Sequence, residues 1–175
     1  MKVLGLMRHA KSDWGDSSLR DFDRGLNERG RRGARLIGGH IRDAGIRWDR
    51  LIASPAQRVR ETLAEALPQT EAEWDETLYL ASSVTILDEV RAIAGDAKAV
   101  LVAGHNPGLQ EVIFDLVPEA AEDKLFDAAA AKFPTASFAV LECDIDDWAD
   151  LKAGCARLVQ FARPRDLDPA LGPEA

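Results

Sequence analysis

Three short apolar runs constrain this chain more than any other feature of its sequence. Residues 3–7, 51–53 and 99–103 are unbroken stretches of Val, Leu, Ile, Met and Ala, interrupted only by Gly5. Continuous rather than alternating apolarity marks strands buried on both faces, as in a parallel sheet. Helical patterns lie between them. After Asn27, a candidate N-cap, apolar residues recur at Ala34, Ile37, Ile41 and Ala44 and define one buried face. Ser54-Pro55-Ala56-Gln57 predicts a helix start with a Ser cap, Pro at the first position and Gln placed for a capping box. Asn106-Pro107 repeats the cap-plus-Pro signature before the apolar stretch 109–117, and 83–94 supplies a further helix. Late runs at 136–143 and 157–162, with a turn over 144–147, predict an antiparallel strand pair.

Strands alternating with helices, followed by a strand pair, predict a single three-layer α/β/α domain with a mostly parallel mixed sheet. At 175 residues the chain has about one domain's length. The domain is expected over 1–163, with 164–175, which holds three Pro and a Gly, as a loosely ordered C-terminal tail. Residues 118–135 are compatible with helix or loop. Residues 10–26 show no period, and a long irregular segment in a compact domain is usually functional or disordered. Trp14 and Phe22 favour the first.

Each apolar run ends in residues suited to a phosphoryl group. The first ends in Arg8-His9, the second in Ser54-Pro55 followed by Arg58, the third in Gly104-His105-Asn106. Ligands of open α/β sheets bind beyond the carboxyl ends of the strands, so parallel strands would bring two Arg and two His to one crevice. Helices that begin there would add N–H groups and positive dipole ends. An imidazole can attack phosphorus when its other nitrogen is held protonated, and guanidinium groups can grip nonbridging oxygens and spread charge.

Composition narrows the partners. The net charge of -8 argues against nucleic acid or an anionic membrane as ligand, although residues 1–60 carry +7 and residues 61–175 carry -15. No run approaches the 18 apolar residues of a membrane span, and Arg8 interrupts the first run too early for a signal peptide. Cys143 and Cys155 are expected as reduced structural thiols, and His9, His40 and His105 form no metal-binding spacing. A cytoplasmic protein without metal or cofactor is expected. Trp48, Trp74 and Trp148 read as packing residues, and His40 as a packed or surface imidazole. Arg29, Arg31, Arg32 and Arg35 read as a solvated helix face, and Trp14 as a residue that could border the crevice.

Leu6-Met7-Arg8-His9-Ala10, Ser54-Pro55-Ala56-Gln57-Arg58-Val59-Arg60-Glu61-Thr62 and Gly104-His105-Asn106-Pro107 resemble, in order, the three motifs of the histidine phosphatase superfamily. Leu26-Asn27-Glu28-Arg29-Gly30 resembles its segment opening the first helix. Arg-His-Ala-Lys, the short length and Glu76-Thr77-Leu78-Tyr79 look most like the SixA-type phosphohistidine phosphatases. The resemblance implies a phosphoglycerate-mutase-like fold and His9 as a nucleophile that forms a phosphohistidine intermediate. It also implies that Arg8, Arg58 and His105 hold the phosphoryl group. Ala10 stands where most of the superfamily has Gly, so the turn after His9 should avoid positive φ. Glu76 is the matched candidate for the general acid, with Asp13, Asp21 and Asp23 as rivals. Arg24 and Lys11 are candidate substrate contacts. The implied substrate is a phosphorylated protein, such as one bearing a histidine phosphotransfer domain. The alternatives are a small phosphate ester, or a non-catalytic module that only binds phosphate.

Overall fold

The computed structural model describes residues 1–172. Six strands form one sheet: β1 (Lys2–Arg8), β2 (Arg50–Ala53), β3 (Glu73–Trp74), β4 (Ala99–Gly104), β5 (Phe138–Cys143) and β6 (Ala156–Ala162), in the order β3-β2-β4-β1-β5-β6. The first four are parallel; β5 runs antiparallel to β1, and β6 antiparallel to β5. β1 and β4, the two longest apolar runs, lie side by side in the middle, where neither face meets water. Leu4 and Leu6 point into one core, and Met7 into the other.

Helices α1 (Glu28–Asp43), α2 (Gln57–Ala66) and α6 (Pro164–Leu167) lie on the Met7 side, where Ala34, Ile37, Ile41, Val59 and Leu63 complete the core. On the opposite face α3 (Ser83–Ile93), α4 (Gly108–Leu116) and α5 (Lys124–Ala131) bury Ile86, Val90, Leu109, Ile113 and Phe126. This is a three-layer mixed α/β fold. Asn27 caps α1 as expected, accepting from the Gly30 N–H at 2.7 Å. Trp148 is fully buried with its indole N–H on the Ala97 carbonyl, and Trp48 and His40 both pack edge-on against Phe138. Trp74, by contrast, is exposed beneath Arg60.

Several local expectations are corrected. Ser54 does not cap α2, which begins three residues later at Gln57, with Ala56 at the cap position and no side-chain cap. The Ser54 hydroxyl is used elsewhere, as described below. Residues 118–135, left open between helix and loop by the sequence, contain a short 3₁₀ turn and then α5, capped by Asp123 accepting from the Phe126 N–H. The segment 164–172 is not loose: Pro164 is buried against Gly33 of α1, Arg32 pairs with Asp168, and Arg29 donates to the Gly172 carbonyl. The rest of the expected tail, 173–175, lies outside the described residues. The arginine face of α1 is salt-bridged rather than merely solvated, with Arg31 on Glu61 and Arg35 on Glu65 of α2.

The contact between α1 and α2 sets up a sharp contrast between neighbouring glycines. A Cβ on Gly38 would lie 2.2 Å from the Ala66 carbonyl oxygen, whereas one on Gly39 would meet only the end of Arg42, at 4.0 Å. Glycine inside a helix costs about 1 kcal/mol relative to alanine. Gly39→Ala is therefore expected to stabilise the fold by roughly 0.5–1 kcal/mol. Gly38→Ala is expected to destabilise it by about 1–3 kcal/mol, because backbone must move to admit the methyl group. Urea unfolding midpoints of the two variants check this; shifts of the same sign would contradict the close helix approach.

Candidate active site

The parallel register brings the three strand ends together. Arg8 at the end of β1 is the register partner of Gly104 at the end of β4, and β2 ends beside β4 at Ala53, one residue before Ser54. Beyond these ends lies a cavity of about 410 Å³ whose walls include Arg8, His9, Arg58 and His105. Arg24, Lys11 and Trp14 line it as well, so the irregular segment 10–26 folds over the site. None of the candidate acids lines it: Glu76 sits exposed on a 3₁₀ turn (Glu76–Leu78), and Asp13, Asp21 and Asp23 also lie outside the lining.

His9 is held from both sides by backbone. Its N–H donates to the Gly104 carbonyl at 3.1 Å, and its own carbonyl accepts from the Ala136 N–H at 2.9 Å. The ring Nδ1 lies 2.8 Å from the Ala10 carbonyl oxygen, which can only accept. Nδ1 therefore carries the proton, and the lone pair is left on Nε2. Burial is the main cause that pulls this imidazole down to about 3; His105, Arg8 and Arg58 add to it, against the Ala10 hydrogen bond. At neutral pH His9 is thus an uncharged base, the form that can attack phosphorus. The following turn needs no glycine, since Ala10 is not among the described residues with positive φ, and its N–H is bound by the Thr62 hydroxyl at 2.9 Å. Thr62 in turn donates to the Arg58 carbonyl at 2.6 Å. That bond ties the turn carrying the imidazole to the helix carrying the guanidinium.

His105 has the opposite tautomer. Arg58 Nη2 approaches its Nδ1 at 3.4 Å, and a guanidinium can only donate, so Nδ1 is bare and Nε2 carries the hydrogen. Nε2 lies 2.8 Å from the Ser54 hydroxyl, which therefore accepts. The same hydroxyl also accepts from the Ala56 N–H at 3.3 Å. Burial and then Arg58 lower His105 to about 4. The two imidazole rings lie with centroids 5.3 Å apart and planes tilted by 56°.

The guanidinium groups are arranged to receive an anion. Arg8 Nε, Arg24 Nη1 and Arg58 Nε are buried without a hydrogen-bond partner. Buried donors left unsatisfied are costly, and all three belong to side chains that line the cavity. Asp21 organises two of these cations: its carboxylate accepts from Arg24 at 2.7 Å and from Arg58 at 3.0 Å, and also from the Tyr79 hydroxyl. Burial alone would raise its pKa, but the bonds from Tyr79, Arg24 and Arg58 outweigh that and hold it well below the usual carboxylate range. Asp21 is consequently an ionised clamp rather than a proton donor at neutral pH. Asp13 caps the Gly15 N–H, and Asp23 pairs with exposed Arg20. Arg24 also stacks on Trp14 at 3.5 Å, leaving that indole 76% exposed at the rim.

The structure brings the expected cations and imidazoles to one cavity; Tyr79, which packs edge-on against His105 and bonds to Asp21, is not among the residues singled out from the sequence. The sequence offers Asp21 only as a candidate acid. The signal available was Glu76-Thr77-Leu78-Tyr79 itself: the useful residue was its last, not its first. Among the described residues no cluster of three His, Cys, Asp or Glu is placed to hold a metal ion.

Comparison with known proteins agrees with this geometry. Residues 4–81 match the model of the histidine phosphatase superfamily (branch 1). An uncharacterized protein of Mycobacterium tuberculosis is 37% identical over 160 residues, covering 91% of this chain and all of its own length. Two solved structures are of proteins named "putative phosphohistidine phosphatase SixA". The one from Nakamurella multipartitia is 32% identical with a TM-score of 0.80, covering 93% of this chain and 96% of its own. The one from Agrobacterium tumefaciens is 30% identical with a TM-score of 0.73, covering 93% and 98%. With its strand-end motifs joined in one cavity, its fold matched over nearly its whole length and its first two motifs inside the matched segment, the chain belongs to the histidine phosphatase superfamily.

Proposed function

We propose that this chain is a phosphohistidine phosphatase of a cytoplasmic signalling protein, working without a metal through a phosphorylated His9. The observation that carries the reading is the neutral, oriented His9 beside buried guanidinium nitrogens without partners. In the first step Nε2 of His9 forms a bond to phosphorus as the bond from phosphorus to the leaving group breaks. Arg8, Arg58 and Arg24 take the nonbridging oxygens, and the neutral His105 ring, held by Ser54 and Arg58, walls the pocket. In the second step water attacks the phosphorylated His9, releasing inorganic phosphate and restoring the imidazole.

The absence of a poised acid favours phosphohistidine over an ester. An alkoxide leaving group needs a proton, but Asp21 is ionised and Glu76 lies outside the cavity. A phosphorylated imidazole with its other nitrogen protonated leaves as a neutral ring and needs no acid from the enzyme. Lys11 and Arg24 then serve as contacts for the transferred group or its carrier.

The test is a comparison of kcat/KM for a phosphorylated histidine phosphotransfer domain with sugar and nucleotide monophosphates, at matched concentration. A preference for the phosphoprotein of roughly a hundredfold or more is expected, the scale of one missing acid in general acid catalysis. A preference of that size for a small ester would overturn the substrate assignment while leaving the phosphatase chemistry intact.

A further inference from the structure

A second cavity, of about 140 Å³, adjoins the phosphoryl pocket. Lys11 and Thr135 line both, so the two are neighbours across those side chains. Its walls come from four places in the sequence: the turn after β1, the first turns of α1, the segment before β5, and the segment after β6. Each contributes cations. Lys11, Arg29, Lys132, Arg163 and Arg165 all line it, and no acidic residue does among the described residues. Five cations line this one small cavity in a protein of net charge -8. Clustered like charges repel, so an anion bound among them is favoured.

Some of these groups already have partners. Arg163 forms a forked salt bridge with Asp166, and Arg29 donates to the Gly172 carbonyl. These contacts fix the walls, since Gly172 and Pro164 also line the cavity. Lys132 and Arg165 are the cations available to bind: neither forms a hydrogen bond or salt bridge from its side chain among the described residues. Lys132 belongs to the segment that Arg8 and Asn106 hold by bonding the Phe133 carbonyl, at 3.0 and 3.2 Å. The second cavity is thus anchored to the same residues that form the first.

We propose that this cavity binds a second anionic group of the substrate, a phosphate or a carboxylate, while the scissile phosphoryl group occupies the pocket of His9. The proposal rests on the phosphatase reading of that pocket. It makes the preferred substrate one with two oxyanions close together: a phosphohistidine flanked by an acidic side chain, or a small bisphosphate.

The experiment uses the variant Lys132→Ala/Arg165→Ala, which leaves the phosphoryl pocket untouched, with its melting temperature measured against the unmodified protein. Two substrate pairs are compared: phosphohistidine peptides with Glu or Gln beside the phosphorylated residue, and linear alkanediol bisphosphates or the matching alkyl monophosphates. For at least one pair, the double variant should raise KM for the doubly anionic member on the order of tenfold, with kcat and the singly anionic member nearly unchanged. The pair that responds identifies the source of the second anion. Equal effects on both members of each pair, or no effect on either pair, would overturn the proposal. If no compound is turned over by the unmodified protein, the phosphatase reading fails by itself, and calorimetry of bisphosphate binding then judges the cavity. Binding about tenfold weaker in the double variant supports the site, and equal affinity contradicts it.

Discussion

Replacing His9 by alanine is expected to lower kcat/KM by on the order of 10⁴-fold or more, because no other group at the site can form the bond to phosphorus. The neighbouring imidazole cannot substitute. His105 has its bare Nδ1 turned to Arg58 and its Nε2–H committed to Ser54. Water can still attack directly, and the cations of Arg8, Arg24 and Arg58 remain, so a small residual rate is expected rather than none. Substrate should still bind, since those cations are unchanged. A fall in kcat with little change in the dissociation constant of a phosphorylated ligand is therefore the pattern to measure. The variant should also keep its fold. The backbone N–H and carbonyl of residue 9 are bonded to Gly104 and Ala136, and alanine keeps both bonds.

Arg58→Ala carries the second large effect, a loss of about 10²–10³ in kcat/KM, the range for removing one preorganised donor from a developing charge. Arg58 is only 3% exposed and fills four roles: it approaches His105, lies against the Tyr79 ring, bonds the Asp21 carboxylate and carbonyl, and offers an unpartnered Nε. Lysine cannot reproduce that fork, so Arg58→Lys is expected to recover little. Removing the guanidinium also strips Asp21 of one of the donors that keep it ionised. Its carboxyl pKa should rise in the variant, and steady-state kinetics together with a carboxylate titration by NMR check both consequences. A titration identical to that of the unmodified protein would mean that Arg58 does not hold Asp21.

The sequence made the centre of this site legible because each motif lies where one rule operates. Unbroken apolar runs predict buried parallel strands, and parallel strands deliver Arg8-His9, Arg58 and His105 to one edge. Where two rules compete for a residue, the reading failed. Ser54 has every local property of a helix cap, yet its hydroxyl bonds the His105 ring 51 residues away, and no local pattern reveals such a partner. Glu76 matched by position in a motif, but the 3₁₀ turn directs the chain so that Tyr79 approaches the cavity and Glu76 does not. Asp21, Arg24 and Trp14 sit in a segment without periodicity. What orders it is a set of contacts made by side chains: Asp21 to Arg58 and Tyr79, and Arg24 to Trp14. Proline and glycine after 163 suggested a loose end, whereas Pro164 is the very residue that packs on α1.

A covalent phosphoenzyme on His9 is the central claim, and it separates a phosphatase from a module that only holds phosphate. Rapid quench after mixing with a labelled phosphodonor tests it most directly. A phosphoenzyme that is stable in alkali, labile in acid, mapped to His9 and absent from His9→Ala is the expected result. Tight stoichiometric binding of the phosphodonor with no label on His9 at any quench time, from protein that retains its phosphate affinity, would contradict it.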